Sequence, residues 1–223
     1  MTHGGPQAAD HYNVGSWAYA VQVLAGKGYA VLQPNYRGST GYGDAFLRDM
    51  IGHYFENAHL DVMAGVDELV RRGIADPDRL VKSGWSAGGH MTNKIITFTS
   101  RFKAASSSAS ISDLTDLYYL ADAGAVMEEY FGKPWANRAS YSQHSPLTHV
   151  ENVRTPLLLQ HGENDPRVPI ASARRFYEAL KALGRTVEFD VFPRGSHVQY
   201  QPVAQQASMQ RNIEWFLRWI TPN

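Results

Sequence analysis

Three side chains in this sequence have the types and the chain order that nucleophilic acyl chemistry requires: Ser86, Asp165 and His197. Ser86 lies in Gly84-Trp85-Ser86-Ala87-Gly88, a G-x-S-x-G pattern. The preceding run Arg79-Leu80-Val81-Lys82-Ser83 is strand-like, and residues 91–101 suit a helix. Strand, sharp turn and helix are the setting of a nucleophile elbow, whose strained turn leaves the serine Oγ standing clear. Side chains two residues before and two after would collide across such a turn, so glycine belongs at 84 and 88. A serine hydroxyl is a poor nucleophile at its own pKa and needs an imidazole within hydrogen-bond reach to take its proton. A carboxylate on the other ring nitrogen fixes the tautomer and stabilises the imidazolium that forms.

The elements that must position these groups follow from pattern. Residues 155–162 form an apolar run leaving through glycine into His161-Gly162-Glu163-Asn164-Asp165-Pro166-Arg167-Val168-Pro169. Residues 187–192 alternate at strand period and lead into Pro193-Arg194-Gly195-Ser196-His197. Open α/β sheets keep their sites at the carboxyl edge, where these loops emerge. Glu163 shares the loop of Asp165 but sits two residues nearer the strand end, so Asp165 is the favoured acid. Of nine histidines, His161 is expected to support its loop and His90 lies one turn into the elbow helix. His53, His59, His144 and His149 read as solvated or packing groups. No histidine pair has a metal-site neighbourhood, so neither metal nor cofactor is expected. Acyl transfer also needs donors aimed at the developing oxyanion. The N–H of Ala87 is one candidate, and the second is an N–H of Gly4 or Gly5, or the phenol of Tyr42.

The rest of the chain alternates helical and strand patterns. Residues 13–27 read as a helix with Trp17, Val21, Leu24 and Ala25 on one face, and residues 29–33 as a short buried strand. A glycine-punctuated loop covers 34–43, a helix 60–72, and a small-residue strand 102–110. Residues 114–146 read as an irregular, aromatic-rich excursion over the site. Helices are expected over 170–183 and 209–220. The alternation predicts an α/β fold with a parallel sheet covered on both faces, as a single domain over residues 1–223.

Composition narrows the function classes. Hydrophobic residues are 43% and charged residues 19% of 223, an ordinary globular balance. Lys plus Arg and Asp plus Glu are 21 each, so charge offers no case for nucleic acid or an anionic membrane. The absence of cysteine excludes disulfides, thiolate metal sites and a cysteine nucleophile. No apolar run approaches membrane-spanning length, and Met1-Thr2-His3-Gly4-Gly5-Pro6 does not look like a signal peptide. The expectation is a soluble protein retained in the cytoplasm.

Four stretches carry a family resemblance: His3-Gly4-Gly5-Pro6, Asn35-Tyr36-Arg37-Gly38-Ser39-Thr40-Gly41-Tyr42-Gly43, Gly84-Trp85-Ser86-Ala87-Gly88-Gly89, and residues 161–169. In that order they resemble the catalytic domain of the prolyl oligopeptidase family, most of all its acylaminoacyl-peptidase and dipeptidyl-peptidase branches. The resemblance runs through Glu129-Tyr130-Phe131-Gly132-Lys133-Pro134-Trp135 to Arg211-Asn212-Ile213-Glu214-Trp215-Phe216. It implies an α/β-hydrolase fold, a triad of Ser86, Asp165 and His197, and oxyanion donation from the Tyr42 hydroxyl with the Ala87 N–H. Relatives often carry a larger residue at the position of Ala87, so alanine here is expected to open the pocket. Relatives also tend to have Glu-Gly-His where this chain reads Arg194-Gly195-Ser196-His197.

The resemblance further implies an N-terminal β-propeller and early strands, neither of which this sequence contains. One missing strand belongs between residues 29–33 and 80–83, where only Met1 and Thr2 are available against a typical strand of about 5–6 residues. The two flanking strands then either pair directly or leave a gap. A truncated piece of a longer peptidase, or a chain that fills the gap by homo-oligomerising or by binding the missing N-terminal portion, is the expectation. Alone it should be poorly stable and prone to aggregate. The leading function is hydrolysis of short peptides through an acyl-enzyme. A carboxylesterase acting on small esters and an inactive fragment are the alternatives.

Overall fold

Four parallel strands carry the site, and a computed structural model describes them within residues 1–11 and 20–221. In chain order the elements are α1 (Val21–Gly26), α2 (Asp44–Arg48), α3 (Ala58–Arg71), β1 (Val81–Trp85), α4 (Ala87–Phe98) and β2 (Ala104–Ser108). They continue with α5 (Leu114–Leu120), α6 (Glu128–Phe131), α7 (Arg138–His144), β3 (Leu157–Gly162), α8 (Ile170–Ala182), β4 (Val187–Phe192) and α9 (Pro202–Ile220). The sheet order is β1-β2-β3-β4, every pair parallel. The register sets Trp85 beside Ser108, Ser108 beside Gln160, and Gly162 beside Phe192. The carboxyl ends therefore line up along one edge.

Strand alternation divides the core into two faces. Leu157 and Leu159 pack with Ala105, Ile96 of α4, and Phe176 and Leu180 of α8. Leu158, between them, faces the other way with Ala104 onto Trp215 and Phe216 of α9. Each helix supplies its apolar stripe at helical spacing: Ala173, Phe176 and Leu180 in α8, and Trp215, Phe216 and Ile220 in α9. This is the expected α/β arrangement, with helices on both faces of a parallel sheet. Helix α9 begins well before residue 209 because Pro202 occupies its first turn, where the fixed proline φ suits a helix start and no N–H is required.

Three expectations need correction. Residues 114–146 lie outside the sheet as expected, yet they are not irregular: α5, α6, α7 and a 3₁₀ turn at Gly124–Met127 account for most of them. Asp113 caps α5 by accepting the N–H groups of Thr115 and Asp116, a local signal that the aromatic content masked. In the helix expected over 13–27 only Val21–Gly26 is described as helical, and residues 13–19 lie outside the described residues. Residues 29–33 form no strand. An apolar run becomes a strand only where a neighbour completes its ladder, and here the Met1 nitrogen donating to Leu32 O at 2.7 Å is the link on that side. Thr2 makes an isolated parallel bridge to Gly84, its N–H donating to Ser83 O at 3.0 Å. Between residues 29–32 and β1 lies a cavity of about 360 Å³, with Leu24, Val62, Val81, Phe216 and Ile220 in its walls. The two segments thus stand apart rather than pair directly.

Trp215 joins α9 to the sheet both through its buried ring and through its indole N–H, which donates to Ala105 O at 2.9 Å. Trp215→Ala should destabilise the fold by about 3–5 kcal/mol, a cost typical of deleting a fully buried large aromatic. Urea unfolding followed by circular dichroism would measure it.

Candidate active site

Ser86 follows the last residue of β1 and stands at φ 60°, ψ −121°, immediately before α4. Its N–H donates to Ser108 O and its carbonyl accepts the His90 N–H, both at 2.9 Å, so the strained residue is fixed from both sides. The neighbouring glycines leave room for close approaches. A Cβ on Gly84 would overlap Gly88 O across the turn, and Thr2 Oγ1 as well. A Cβ on Gly88 would overlap the carbonyls of Thr2 and His3. The collision expected within the turn is present, and the passage of residues 2–3 over the same spot adds to it.

The loops after β3 and β4 bring the other two groups to Ser86. His197 Nε2 lies 3.0 Å from Ser86 Oγ. On the opposite side of the ring, Nδ1–H donates to Asp165 Oδ2 at 2.8 Å. The two loops are stitched together: Glu163 N–H donates to Phe192 O at 3.0 Å and Asn164 N–H to Gly195 O at 2.8 Å. The Glu163 carboxylate accepts the N–H of Arg194 at 2.9 Å, so it braces the histidine loop and leaves the imidazole to Asp165. Gly162 is packed under the Gly195 and Ser196 carbonyls, where a Cβ would overlap both.

Asp165 is an ionised acceptor by construction. Its Oδ1 takes the N–H groups of Arg167 and Val168, each at 2.9 Å. Burial alone would push its carboxyl up. The adjacent His161 ring and the hydrogen bonds from His197 and the Val168 N–H, with the Coulombic pull of His197, outweigh burial and hold the carboxyl well below the usual range. His161 supports this loop as expected, with Nε2 2.8 Å from Val168 O. His90, pushed down to about 3 first by burial and then by Lys94, is a neutral ring packed against Tyr54 and Phe55.

The oxyanion side is built from the start of the chain. The N–H of Ala87, first in α4, has no acceptor within the helix. Gly4 lies against the nucleophile: a Cβ there would stand 3.3 Å from Ser86 Cβ and 3.9 Å from Ser86 Oγ. His3 anchors that segment by stacking on Tyr36 at 4.4 Å between centroids. The Ser39 hydroxyl donates to His3 Nε2 at 2.9 Å, and the Tyr36 hydroxyl donates to His3 O at 2.7 Å. His3, Tyr36 and Ser39 were not singled out by sequence reasoning, although both stretches containing them carry the family pattern. Tyr42 is 56% exposed and its hydroxyl accepts Asn35 Nδ2–H at 3.0 Å. Ala87 is itself buried, part of the core cluster that includes Tyr36, Phe55, Ile111 and Leu117. The aromatic excursion touches the site through the acid loop, where Asp122 N–H donates to Pro166 O and Arg167 Nε–H to Asp122 Oδ1, at 2.8 and 2.7 Å.

Among the described residues, no helix is long and apolar enough to cross a membrane, and no three His, Cys, Asp or Glu side chains converge as a metal site would require. The profile of the prolyl oligopeptidase family matches residues 16–223. An uncharacterized peptidase of Bacillus subtilis, YuxL, is 41% identical over 204 residues, covering 87% of this chain and 30% of that protein. The solved acylaminoacyl peptidase of Pyrococcus horikoshii superposes with a TM-score of 0.91 at 31% identity, covering all of this chain and 37% of its own. A solved acylaminoacyl peptidase in complex with Z-Gly-Gly-Phe-chloromethyl ketone gives 0.91 at 32%, covering 100% of this chain and 36% of the other. The chain thus spans about a third of the length of the proteins it matches. With its α/β-hydrolase sheet and with 208 of its residues under one family profile (16 to 223), this chain belongs to the prolyl oligopeptidase family.

Proposed function

We propose that this chain is the catalytic part of a serine peptidase that cleaves short peptides through an acyl-enzyme on Ser86. The observation that carries the reading is the unbroken relay from Ser86 Oγ through both nitrogens of His197 to Asp165, at 3.0 and 2.8 Å. Its family membership supports the same chemistry.

The geometry supplies each step. Ser86 Oγ attacks the scissile carbonyl carbon while its proton passes to His197 Nε2. The imidazolium is stabilised by the Asp165 carboxylate, which stays ionised. The carbonyl oxygen becomes an oxyanion that draws on the Ala87 N–H and on a second donor, the Tyr42 hydroxyl or the N–H of Gly4 or Gly5. His197 then returns the proton to the leaving amine nitrogen as the C–N bond breaks. Water enters by the same route, giving one proton to His197 as its oxygen bonds the acyl carbon; the Oγ–carbon bond then breaks, His197 returns that proton to Ser86 Oγ, and the acid leaves. Ester hydrolysis would use the same groups, with His197 protonating the leaving oxygen so that an alcohol departs.

The test is labelling of the purified chain with a fluorophosphonate, followed by turnover of an aminoacyl p-nitroanilide and a short-chain p-nitrophenyl ester. Ser86→Ala and His197→Ala should each abolish labelling and nearly all turnover. Asp165→Asn should lower kcat on the order of 10⁴-fold through the wrong imidazole tautomer. Turnover of the ester alone would replace the peptidase reading with an esterase, and an unlabelled chain would sink both.

Tyr42→Phe distinguishes the oxyanion donors. Loss of one donor costs roughly 10²–10³ in kcat with little change in KM. A wild-type kcat in Tyr42→Phe would assign the second donor to the Gly4–Gly5 backbone. Gly162→Ala should cut kcat sharply while leaving the far-UV spectrum intact, because its methyl needs the space that the histidine loop occupies; steady-state kinetics beside circular dichroism would show the split.

A further inference from the structure

We propose that His161 is a positioning residue whose Nε2–H, held by the Val168 carbonyl and standing beside Asp165 Oδ2, sets how strongly that oxygen binds His197. This rests on the triad reading above and deepens it. The His161 side chain is closed off from solvent, with Nε2 3.4 Å from Asp165 Oδ2. The same nitrogen is 2.8 Å from Val168 O. A carbonyl only accepts, so Nε2 carries the proton. Nδ1 is buried and has no partner, which suits a bare ring nitrogen, since an N–H there would be a buried unpaired donor.

Two imidazoles therefore flank one oxygen: Oδ2 accepts His197 Nδ1–H at 2.8 Å, and His161 Nε2 stands 3.4 Å from it. The other charged groups around the carboxylate are committed elsewhere. Arg167 is turned onto Asp122, with Nε 2.7 Å from Oδ1. Glu163 holds the Arg194 N–H at 2.9 Å. An N–H dipole this close to Oδ2 in a buried site stabilises its negative charge, so removing His161 leaves a stronger acceptor for His197 and favours the imidazolium over the imidazole that must accept the serine proton. A residue that only fills space under the loop has a different signature: its loss would let Asp165 swing away and weaken the imidazolium.

His161→Phe keeps a ring of similar size and removes the N–H. The acid limb of its kcat/KM profile should move to higher pH by roughly half a unit, about threefold less activity at a fixed pH on that limb. His161→Gln, whose amide N–H replaces Nε2–H, should return the limb toward the parent position. An unmoved limb, a limb moved to lower pH, or a Gln variant shifted as far as the Phe variant would overturn the proposal. If His161→Phe does not fold, the imidazole ¹⁵N shifts of His161 in the unsubstituted protein at pH 8 decide the matter. They should show a protonated Nε2 and a bare Nδ1, and the opposite tautomer would overturn it. Turnover surviving in Ser86→Ala would show instead that the triad reading had failed, and the tautomer measurement does not depend on turnover.

Discussion

Ser86 holds φ 60°, ψ −121°, a conformation serine abandons unless its surroundings forbid relaxation. What forbids it is a crossing of three backbone segments in one place: the end of β1, the first turn of α4 and residues 2–3. The carbonyls of Thr2 and His3 lie on Gly88, and Gly84 lies beneath the Gly88 carbonyl and the Thr2 hydroxyl. Side chains lock the crossing from below. Lys82, fully buried on β1, donates to Thr2 Oγ1, Ser83 O and Thr92 Oγ1 at 2.7, 2.8 and 2.9 Å. Thr2 Oγ1–H in turn donates to Gly88 O at 3.0 Å. Burial drives the Lys82 amine well below its ordinary pKa, and three well-placed acceptors compensate for the water it has lost. The same crossing that strains the serine also delivers Gly4 to its side, so nucleophile and oxyanion wall are set by one contact.

A second crossing does for the acid and base what the first does for the nucleophile. Gly162 ends β3 directly beneath the histidine loop, and hydrogen bonds from Glu163 and Asn164 tie the two loops edge to edge. Arg194, a non-glycine residue at φ 59°, is held there by the Glu163 carboxylate. The parallel register makes this possible. Because Trp85, Ser108, Gln160 and the Gly162–Phe192 pair follow one another across the sheet, three loops from distant parts of the chain emerge side by side. A register slip of one residue in β4 would carry His197 by about 3.3 Å, farther than a hydrogen bond tolerates.

Much of this was legible in the residues because it depends on local pattern. The strand runs ending in glycine, the G-x-S-x-G turn and the order Ser86, Asp165, His197 each depend on a few adjacent positions, and the geometry brings them together as the pattern required. Other features depend on partners far away in sequence. Residues 29–33 have the composition of a strand, but a strand is a property of a pair, and among the described residues they meet the sheet side through the Met1 nitrogen on Leu32 O rather than through a ladder. The smallness of Ala87 suggests a pocket feature because a sequence does not say how deeply a side chain is buried; Ala87 is buried, in the same core cluster as Tyr36 and Phe55. The contact of His3 with Tyr36 and Ser39 spans loops that have no periodicity to read. Glu163 and Asp165 could be ranked by their distance from the strand end, yet the task given to Glu163, bracing Arg194, belongs to the loop opposite.

The small-residue strand β2 shows why a central element of this fold reads so weakly in sequence. Ala104, Ala105, Ser106, Ser107 and Ser108 are all buried, yet three of the five carry hydroxyls. Larger side chains are shut out because the first turn of α4 comes down onto the strand: Ser107 Oγ–H reaches Gly89 O at 2.9 Å, and Ser86 N–H reaches Ser108 O at the same distance. Hydroxyls are tolerated because each has a partner in a different element. The Ser106 hydroxyl donates to Asn212 Oδ1 of α9 at 2.5 Å, and the Ser108 hydroxyl donates to Gln160 Oε1 of β3 at 3.2 Å. Gln160 Oε1 also accepts the Ser208 hydroxyl at 2.7 Å, closing the seam between the strands and α9. Alanine at 106 would fill nearly the same volume and leave Asn212 Oδ1 without this partner, at a cost of about 1–3 kcal/mol for a group left buried and unpaired, and alanine at 108 would leave Gln160 Oε1 with Ser208 alone. The serines are therefore what allows a nucleophile helix to start this close to the sheet, and their polar character, which weakens the strand pattern, is the chemical consequence of that closeness.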